Sequence, residues 1–319
     1  MNLTLPNKVS DLIMSETLQE RQDLTIVIPI YNEAQSLPHF LPEVVETCRT
    51  KKWDLILVND GSRDETASIL TQFSNEPHVK VLHHKVNRGY GGALKTGLLS
   101  AHSRYVVTMD GDGQHAASDL DAMLNFAVKT DADMVIGCRA EMEHVNIYRE
   151  LGKWLIRTFT RMLVPLSVKD LNSGFKLYRT SLVKRYLHLC PNSMAFSDVI
   201  TLLFINQGYL VLETPISVRR RMGGTSSIST HTAFETIMEI LGLTMLVNPL
   251  RIFLPLSVFC ISVGLLWGIP IVIAGRGVSV GAMLAIVLGA LFFFLGLIAS
   301  QLAAIRLHLA SLSNQDDEG

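Results

Sequence analysis

The chain has 319 residues, with 28 Lys and Arg against 29 Asp and Glu, for a formal net charge of −1. That balance, without any basic stripe of interleaved aromatics, excludes nucleic acid as an expected partner. The four cysteines, Cys48, Cys138, Cys190 and Cys260, are far apart and form no C-x-x-C pair, which excludes a disulfide framework or zinc site and fits a reducing cytosolic face. Residues 1–22 lack the basic start and apolar core of a signal peptide and read as a lead-in. Short β-branched runs then alternate with helical patterns. Strands are predicted over 24–30, 55–59, 79–83, 105–109 and 134–137, and helices over 37–50, 64–73, 93–101 and 118–129. Such repetition predicts an α/β fold with a mostly parallel sheet covered on both faces.

Beyond Cys138 the pattern loosens into a helix over 148–164, a strand over 175–178, a helix over 198–206 and a strand over 209–213, an acceptor-side extension of the same domain. The basic, Gly- and Ser-rich segment 219–227 reads as a mobile loop. Over 234–247 apolar residues dominate, but Glu235 and Glu239 lie one helical turn apart, which favours a helix lying in the membrane interface. Residues 252–274 and 278–305 are each long and apolar enough to cross about 30 Å of hydrocarbon. The Gly275-Arg276-Gly277 turn between them allows only a hairpin. Arg251, Arg306 and Arg219 to Arg221 share one side, so the positive-inside bias places the globular domain and the C-terminus in the cytoplasm; Arg276 alone argues the other way. Gly281, Ala285 and Gly289 repeat at helical spacing and suit helix packing within the hairpin or between chains, so a homo-oligomer is possible.

Ligands of parallel sheets collect beyond the carboxyl ends of the strands. Three polar clusters fall there: Tyr31-Asn32-Glu33, Asn59-Asp60-Gly61-Ser62 and Asp110-Gly111-Asp112-Gly113-Gln114. Two carboxylates and an amide at one strand end suit a hard cation, Mg²⁺ or Mn²⁺, gripping a diphosphate. Asp112 is the best candidate ligand, with Asp110 and Gln114 beside it; the competing reading is a plain turn. Asp60 and Glu33 are acceptors for ribose or base hydrogens, or else a cap or turn acid and a helix-entry acid. Gly89-Tyr90-Gly91-Gly92 does not follow the first strand, which disfavours a dinucleotide-binding dehydrogenase. His83, His84, His102 and His115 show no ligand spacing and read as structural or exposed.

These clusters, taken with Ile28-Pro29-Ile30 and Asn87-Arg88-Gly89, resemble a family-2 glycosyltransferase of the GT-A fold. Val135-Ile136-Gly137-Cys138-Arg139, Asp170-Leu171-Asn172-Ser173-Gly174-Phe175-Lys176 and Arg221-Met222-Gly223-Gly224-Thr225-Ser226 resemble its dolichyl- or polyprenyl-phosphate sugar synthase branch. The resemblance implies that Pro29, Tyr31, Glu33 and Asp60 hold the nucleoside and that Asp110, Asp112 and Gln114 hold the metal, with Asp110 also facing the donor. It further implies that Arg139, Lys169, Ser173 and Arg221 hold the acceptor phosphate or the donor diphosphate, in line with the pairing of cations with phosphate. Arg219 and Arg220 read as a juxtamembrane basic cluster, and Ser227 stands where the family pattern often has Lys. Asp198 is the remaining acid, able to orient a sugar hydroxyl or to serve as a helix N-terminal acid.

The expected division is a lead-in over 1–23, a GT-A catalytic domain over 24–230, a juxtamembrane amphipathic helix over 231–250, a two-helix hairpin over 251–306 and a cytoplasmic tail over 307–319. The expected reaction is inverting transfer of one sugar from a nucleoside-diphosphate sugar to polyprenyl phosphate. The alternatives are a family member with another acceptor, a polysaccharide or glycolipid, and a catalytically silent nucleotide-sugar-binding membrane module. A processive synthase would usually carry Gln-x-x-Arg-Trp, a motif absent here.

Overall fold

The computed structural model describes residues 23–139, 168, 170–171, 173–217, 242, 244–245 and 248–312, with backbone alone at 139 and 307–312. The expected helix over 148–164, the basic loop over 219–227, Lys169, Asn172 and most of the juxtamembrane helix lie outside the described residues. The chain divides into two compact units, residues 1–142 with 168–226, and residues 143–167 with 227–319.

The first unit is built on a seven-stranded sheet: β1 (Leu24–Ile30), β2 (Asp54–Asn59), β3 (Val79–His83), β4 (Tyr105–Thr108), β5 (Met134–Arg139), β6 (Lys176–Arg179) and β7 (Val211–Ile216). Their order is β3-β2-β1-β4-β6-β5-β7. Every residue of β1 is buried, as a central strand covered on both faces requires. Leu24, Ile26, Ile28 and Ile30 share one core with helices α1 (Leu37–Lys51) and α4 (Ala117–Thr130). Helix α1 contributes Leu37, Phe40, Leu41, Val44 and Cys48 at helical spacing. On the opposite face Val27 and Val58 lie against Gly97 of α3 (Tyr90–Ser100), so closely that a Cβ there would strike Val27. The short helices α2 (Thr66–Thr71) and α5 (Thr180–Tyr186) and the longer α6 (Phe196–Asn206) complete the layers.

The sheet is mostly parallel, with one exception that shapes the site. Strand β6 runs antiparallel between β4 and β5, with Thr108 opposite Lys176 and Ile136 also opposite Lys176. It therefore starts where β4 and β5 end. The segment leading into it, Ser173-Gly174-Phe175, is delivered to the carboxyl rim of the parallel strands.

In the second unit, α7 (Leu250–Ile273) and α8 (Val280–Leu312) form the expected hairpin. Both pass the length and composition test for a membrane span; 24 residues of helix measure about 36 Å against about 30 Å of hydrocarbon. Gly275 (φ 69°) and Gly277 (φ 80°) make the turn in conformations that L side chains rarely adopt. Gly264 meets Ala282 and Ile286, while Gly289 meets Ser257 and Ile261. Gly281 packs on Trp267, so the glycines of the expected small-residue stripe serve contacts inside the hairpin.

Candidate active site

At the carboxyl end of the sheet, the loops after β1 and β2 are stapled together. Asn32 stands at φ 54°, a left-handed conformation that Asn tolerates; its N–H donates to Ser62 Oγ (3.0 Å) and its Oδ1 accepts from the Arg63 N–H (2.8 Å). Asp64 accepts from the N–H groups of Thr66 (3.1 Å) and Ala34 (3.2 Å). Burial opposes the Asp64 charge, but these hydrogen bonds outweigh it and hold its pKa below the usual carboxylate value. The Glu33 N–H donates to Thr66 Oγ1 (3.0 Å), and the buried Ser36 hydroxyl donates to Glu33 Oε2 (2.6 Å). Tyr31 is 41% exposed at the rim. Pro29 is buried within β1, its carbonyl close beneath Gly111.

Asp60 is buried and already engaged. Its Oδ1 accepts from His84 Nδ1 (2.6 Å) and from the Arg88 N–H (2.8 Å), while His84 Nε2 lies 2.9 Å from Thr96 Oγ1. Asp60 thus ties the end of β2 to the loop after β3 and keeps Oδ2 as its second acceptor atom. Gly61 (φ 67°) packs on the backbone of Val86 and Asn87, where a Cβ has no room.

The sequence alone does not reveal the partners of this loop. Gly91 and Gly92 donate their N–H groups to the carbonyl of Asn192 (2.9 and 3.3 Å). A Cβ at Gly89 or Gly91 would strike the Asn192 or Pro191 carbonyl. The glycines serve close packing and a capped helix start rather than a phosphate cradle.

The Asp110 cluster is a turn and a rim at once. Gly113 takes φ 75°, and the Gln114 N–H donates to Asp112 Oδ1 (3.1 Å). Asp110, Asp112 and Gln114 are each partly exposed, between buried Met109, Gly111, Gly113 and His115. Asp110 Oδ1 accepts from the Tyr90 hydroxyl (2.9 Å), and its Oδ2 lies 3.9 Å from Nε2 of the buried His115, whose ring stacks on Phe175. Gly174 lies directly against both carboxylate oxygens, leaving no space for a side chain. No group of three or more His, Cys, Asp or Glu side chains positioned to hold a metal occurs among the described residues. Two carboxylates and an amide oxygen nevertheless fit Mg²⁺ or Mn²⁺, cations that accept a few protein oxygens and complete their shell with water and substrate phosphate.

Ahead of β6, Ser173 is buried and its hydroxyl donates to the Gly137 carbonyl (2.8 Å), bracing the segment before β6 against β5. Arg139 ends β5 opposite Ile216; its side chain, with Lys169 and Arg221, lies outside the described residues. Lys176, which sequence reasoning left without a role, is fully buried. Its Nζ donates to the Leu171 carbonyl (2.5 Å), the Ser197 carbonyl (2.7 Å) and Thr201 Oγ1 (2.9 Å). Burial pulls its pKa down to about 8, against the opposing pull of Asp198, Asp170 and Asp110. Asp198 sits in the first turn of α6. Two sequence signals mark Lys176: it closes the motif Asp170 to Lys176, and it is a lone charge in the otherwise apolar run Phe175-Lys176-Leu177-Tyr178.

Residues 25–187, more than half of the chain, match the family described as glycosyl transferase family 2. The chain belongs to that family. Residues 248–305 of this glycosyltransferase match a second profile, the GtrB C-terminal hairpin. Among curated proteins, an undecaprenyl-phosphate 4-deoxy-4-formamido-L-arabinose transferase of Pectobacterium carotovorum is 27% identical over 303 residues, 90% of each chain. A polyprenol monophosphomannose synthase of Mycolicibacterium smegmatis is 27% identical over 235 residues, 70% of this glycosyltransferase and 88% of the relative. A solved structure of glucosyl-3-phosphoglycerate synthase from Mycobacterium tuberculosis, with Mn²⁺, UDP and phosphoglyceric acid, superposes with a TM-score of 0.54 at 15% identity, over 76% of this chain and 84% of that one. That likeness is one of fold, and the fold is GT-A.

Proposed function

We propose that this glycosyltransferase moves a single sugar, with inversion, from a nucleoside-diphosphate sugar to a polyprenyl phosphate at the cytoplasmic face of a membrane. The observation that carries the reading is the union, in one chain, of the family-2 domain with the hairpin over 248–305, a span shared with a relative that acts on undecaprenyl phosphate. A lipid acceptor stays in its bilayer, and an enzyme carrying its own anchor searches for it in two dimensions.

In this reading Pro29, Tyr31, Glu33 and the second oxygen of Asp60 receive the nucleoside. Asp110, Asp112 and Gln114 hold Mg²⁺ or Mn²⁺, which when bound neutralises charge on the departing diphosphate. Arg139, Lys169 and Arg221 hold phosphate, Ser173 braces the segment before β6 on Gly137, and Asp198 orients a sugar hydroxyl. A phosphate oxygen of the lipid attacks the anomeric carbon from the face opposite the leaving group. The bond from that carbon to the diphosphate breaks, and the nucleoside diphosphate departs with the electron pair. A phosphomonoester has its second pKa near 6, so the dianion attacks without a strong general base.

The test is incubation of the purified full chain with a panel of nucleotide sugars, undecaprenyl or dolichyl phosphate, and Mg²⁺ or Mn²⁺, with products identified by mass. One donor is expected to yield a lipid-linked monosaccharide phosphate. Absence of product with every donor overturns the enzyme reading, and product on a free glycan redirects it to another acceptor.

A further inference from the structure

We propose that Tyr90 is a positioning residue for the carboxylate of Asp110, read as a metal ligand: its hydroxyl holds Oδ1 and fixes the plane in which the group meets a cation. The inference rests on the reading of Asp110 as a metal ligand. Asp110 stands at the end of β4 with its side chain 30% exposed, where a carboxylate is ordinarily free to rotate. Here it is boxed in. Gly174 lies against both oxygens from one side, and the Tyr90 hydroxyl donates to Oδ1 at 2.9 Å.

Tyr90 is itself well held. It is the first residue of α3, whose next two N–H groups end on the Asn192 carbonyl. Burial, with the neighbouring Asp110 charge second, pushes its pKa well above that of a free phenol. Two residues earlier the Arg88 N–H donates to Asp60 Oδ1, so one short segment, 88–90, holds the acid at the end of β2 and the acid at the end of β4.

An oriented ligand binds a metal more tightly than a rotating one because the ordering cost is met before binding; residues that hold a ligand in this way are typically worth about 10- to 100-fold in metal affinity. Tyr90→Phe removes one oxygen and keeps the ring. The experiment measures Mn²⁺ binding to the full-length chain directly, by the loss of the free-ion electron paramagnetic resonance signal. It also measures half-saturating Mn²⁺ for turnover, kcat at saturating Mn²⁺, and thermal unfolding.

The expected result for Tyr90→Phe is binding and half-saturation weakened about 10-fold or more, kcat at saturation within about threefold of the parent, and unchanged unfolding. Gly174→Ala, which presses a methyl group onto the same carboxylate, is expected to weaken Mn²⁺ binding as well. Unchanged or tighter Mn²⁺ binding in Tyr90→Phe overturns the proposal, as does a fall in kcat that saturating metal leaves uncorrected. Failure of the parent protein to bind Mn²⁺ or to need it for turnover overturns the metal reading of Asp110 itself, a result visible without the variant.

Discussion

The two halves of the rim are built differently. Where the donor is proposed to bind, acids at the ends of parallel strands are fixed by backbone N–H groups and single side chains: Asp60 by Arg88 N–H and His84, Asp112 by Gln114 N–H, Asp110 by Tyr90. On the acceptor side an antiparallel strand and a buried ammonium do the fixing, with Lys176 joining the segment before β6 to helix α6. The contrast suits the ligands. In the proposed reaction a donor diphosphate brings negative charge for a bound cation to offset, and Asp110 and Asp112 are partly exposed while Asp60 is buried. In the same proposal the acceptor phosphate lies on the other side, where the buried ammonium of Lys176 offsets the charges of Asp170 and Asp198.

The largest expected effect tests the donor half. Asp112→Ala should lower turnover about 10³-fold, the scale of losing a principal electrostatic group, while leaving thermal unfolding within a degree or two of the parent. Loss of fold instead would make Asp112 a turn residue first. Next comes the acceptor half. Lys176→Met strips the ammonium from three acceptors and leaves nearby acids without their buried counter-charge, so it should cost about 3 kcal/mol or more of stability by chemical unfolding. Equal stability would remove Lys176 from the scaffold.

The same lysine gives a pH signature. With its folded pKa near 8, against 10.5 when free, turnover should decline above pH 8 as the ammonium loses its proton. Between about pH 8 and 10.5 the unfolded chain still holds that proton and the folded chain has released it. This group therefore makes folding more favourable as pH rises, an advantage lost as pH falls back through 8. A falling rate without parallel unfolding separates this cause from general alkaline denaturation.

Smaller effects sharpen the contrast. His84→Ala removes one hydrogen-bond partner of a buried carboxylate and should cost about 2 kcal/mol, with a raised KM for the donor and an unchanged KM for the lipid. Ser173→Ala should cost about 1 kcal/mol, the worth of one buried hydrogen bond. A large rise in the lipid KM there would show that Ser173 meets the phosphate rather than bracing β5.

The parallel core was legible because buried strands announce themselves as continuous apolar runs, as residues 24–30 do for β1; the edge strand over 79–83 also matches β3 to the residue, through alternation rather than a continuous run. The direction of β6 was not, since an apolar run looks the same read either way. Helix α3 begins at Tyr90, three residues before the expected start. Glycines there argue against helix by their backbone entropy, and only the distant Asn192 carbonyl, accepting two N–H groups, reverses that preference. The Asp60–His84 pair was hidden for a related reason. His84 comes opposite Asp60 only once Asn59 is known to pair with His83. The acidic cluster was visible from spacing and strand position, whereas its holders, Tyr90 and Gly174, are far away in sequence and meet it through the fold.

The most direct test of the central claim is the stoichiometry and linkage of the product made by the full chain on undecaprenyl phosphate. One nucleoside diphosphate released for each glycolipid, with the sugar joined through the lipid phosphate and no product on undecaprenol, is the predicted result. Nucleoside diphosphate released without a glycolipid, or sugar found on undecaprenol itself, would contradict it.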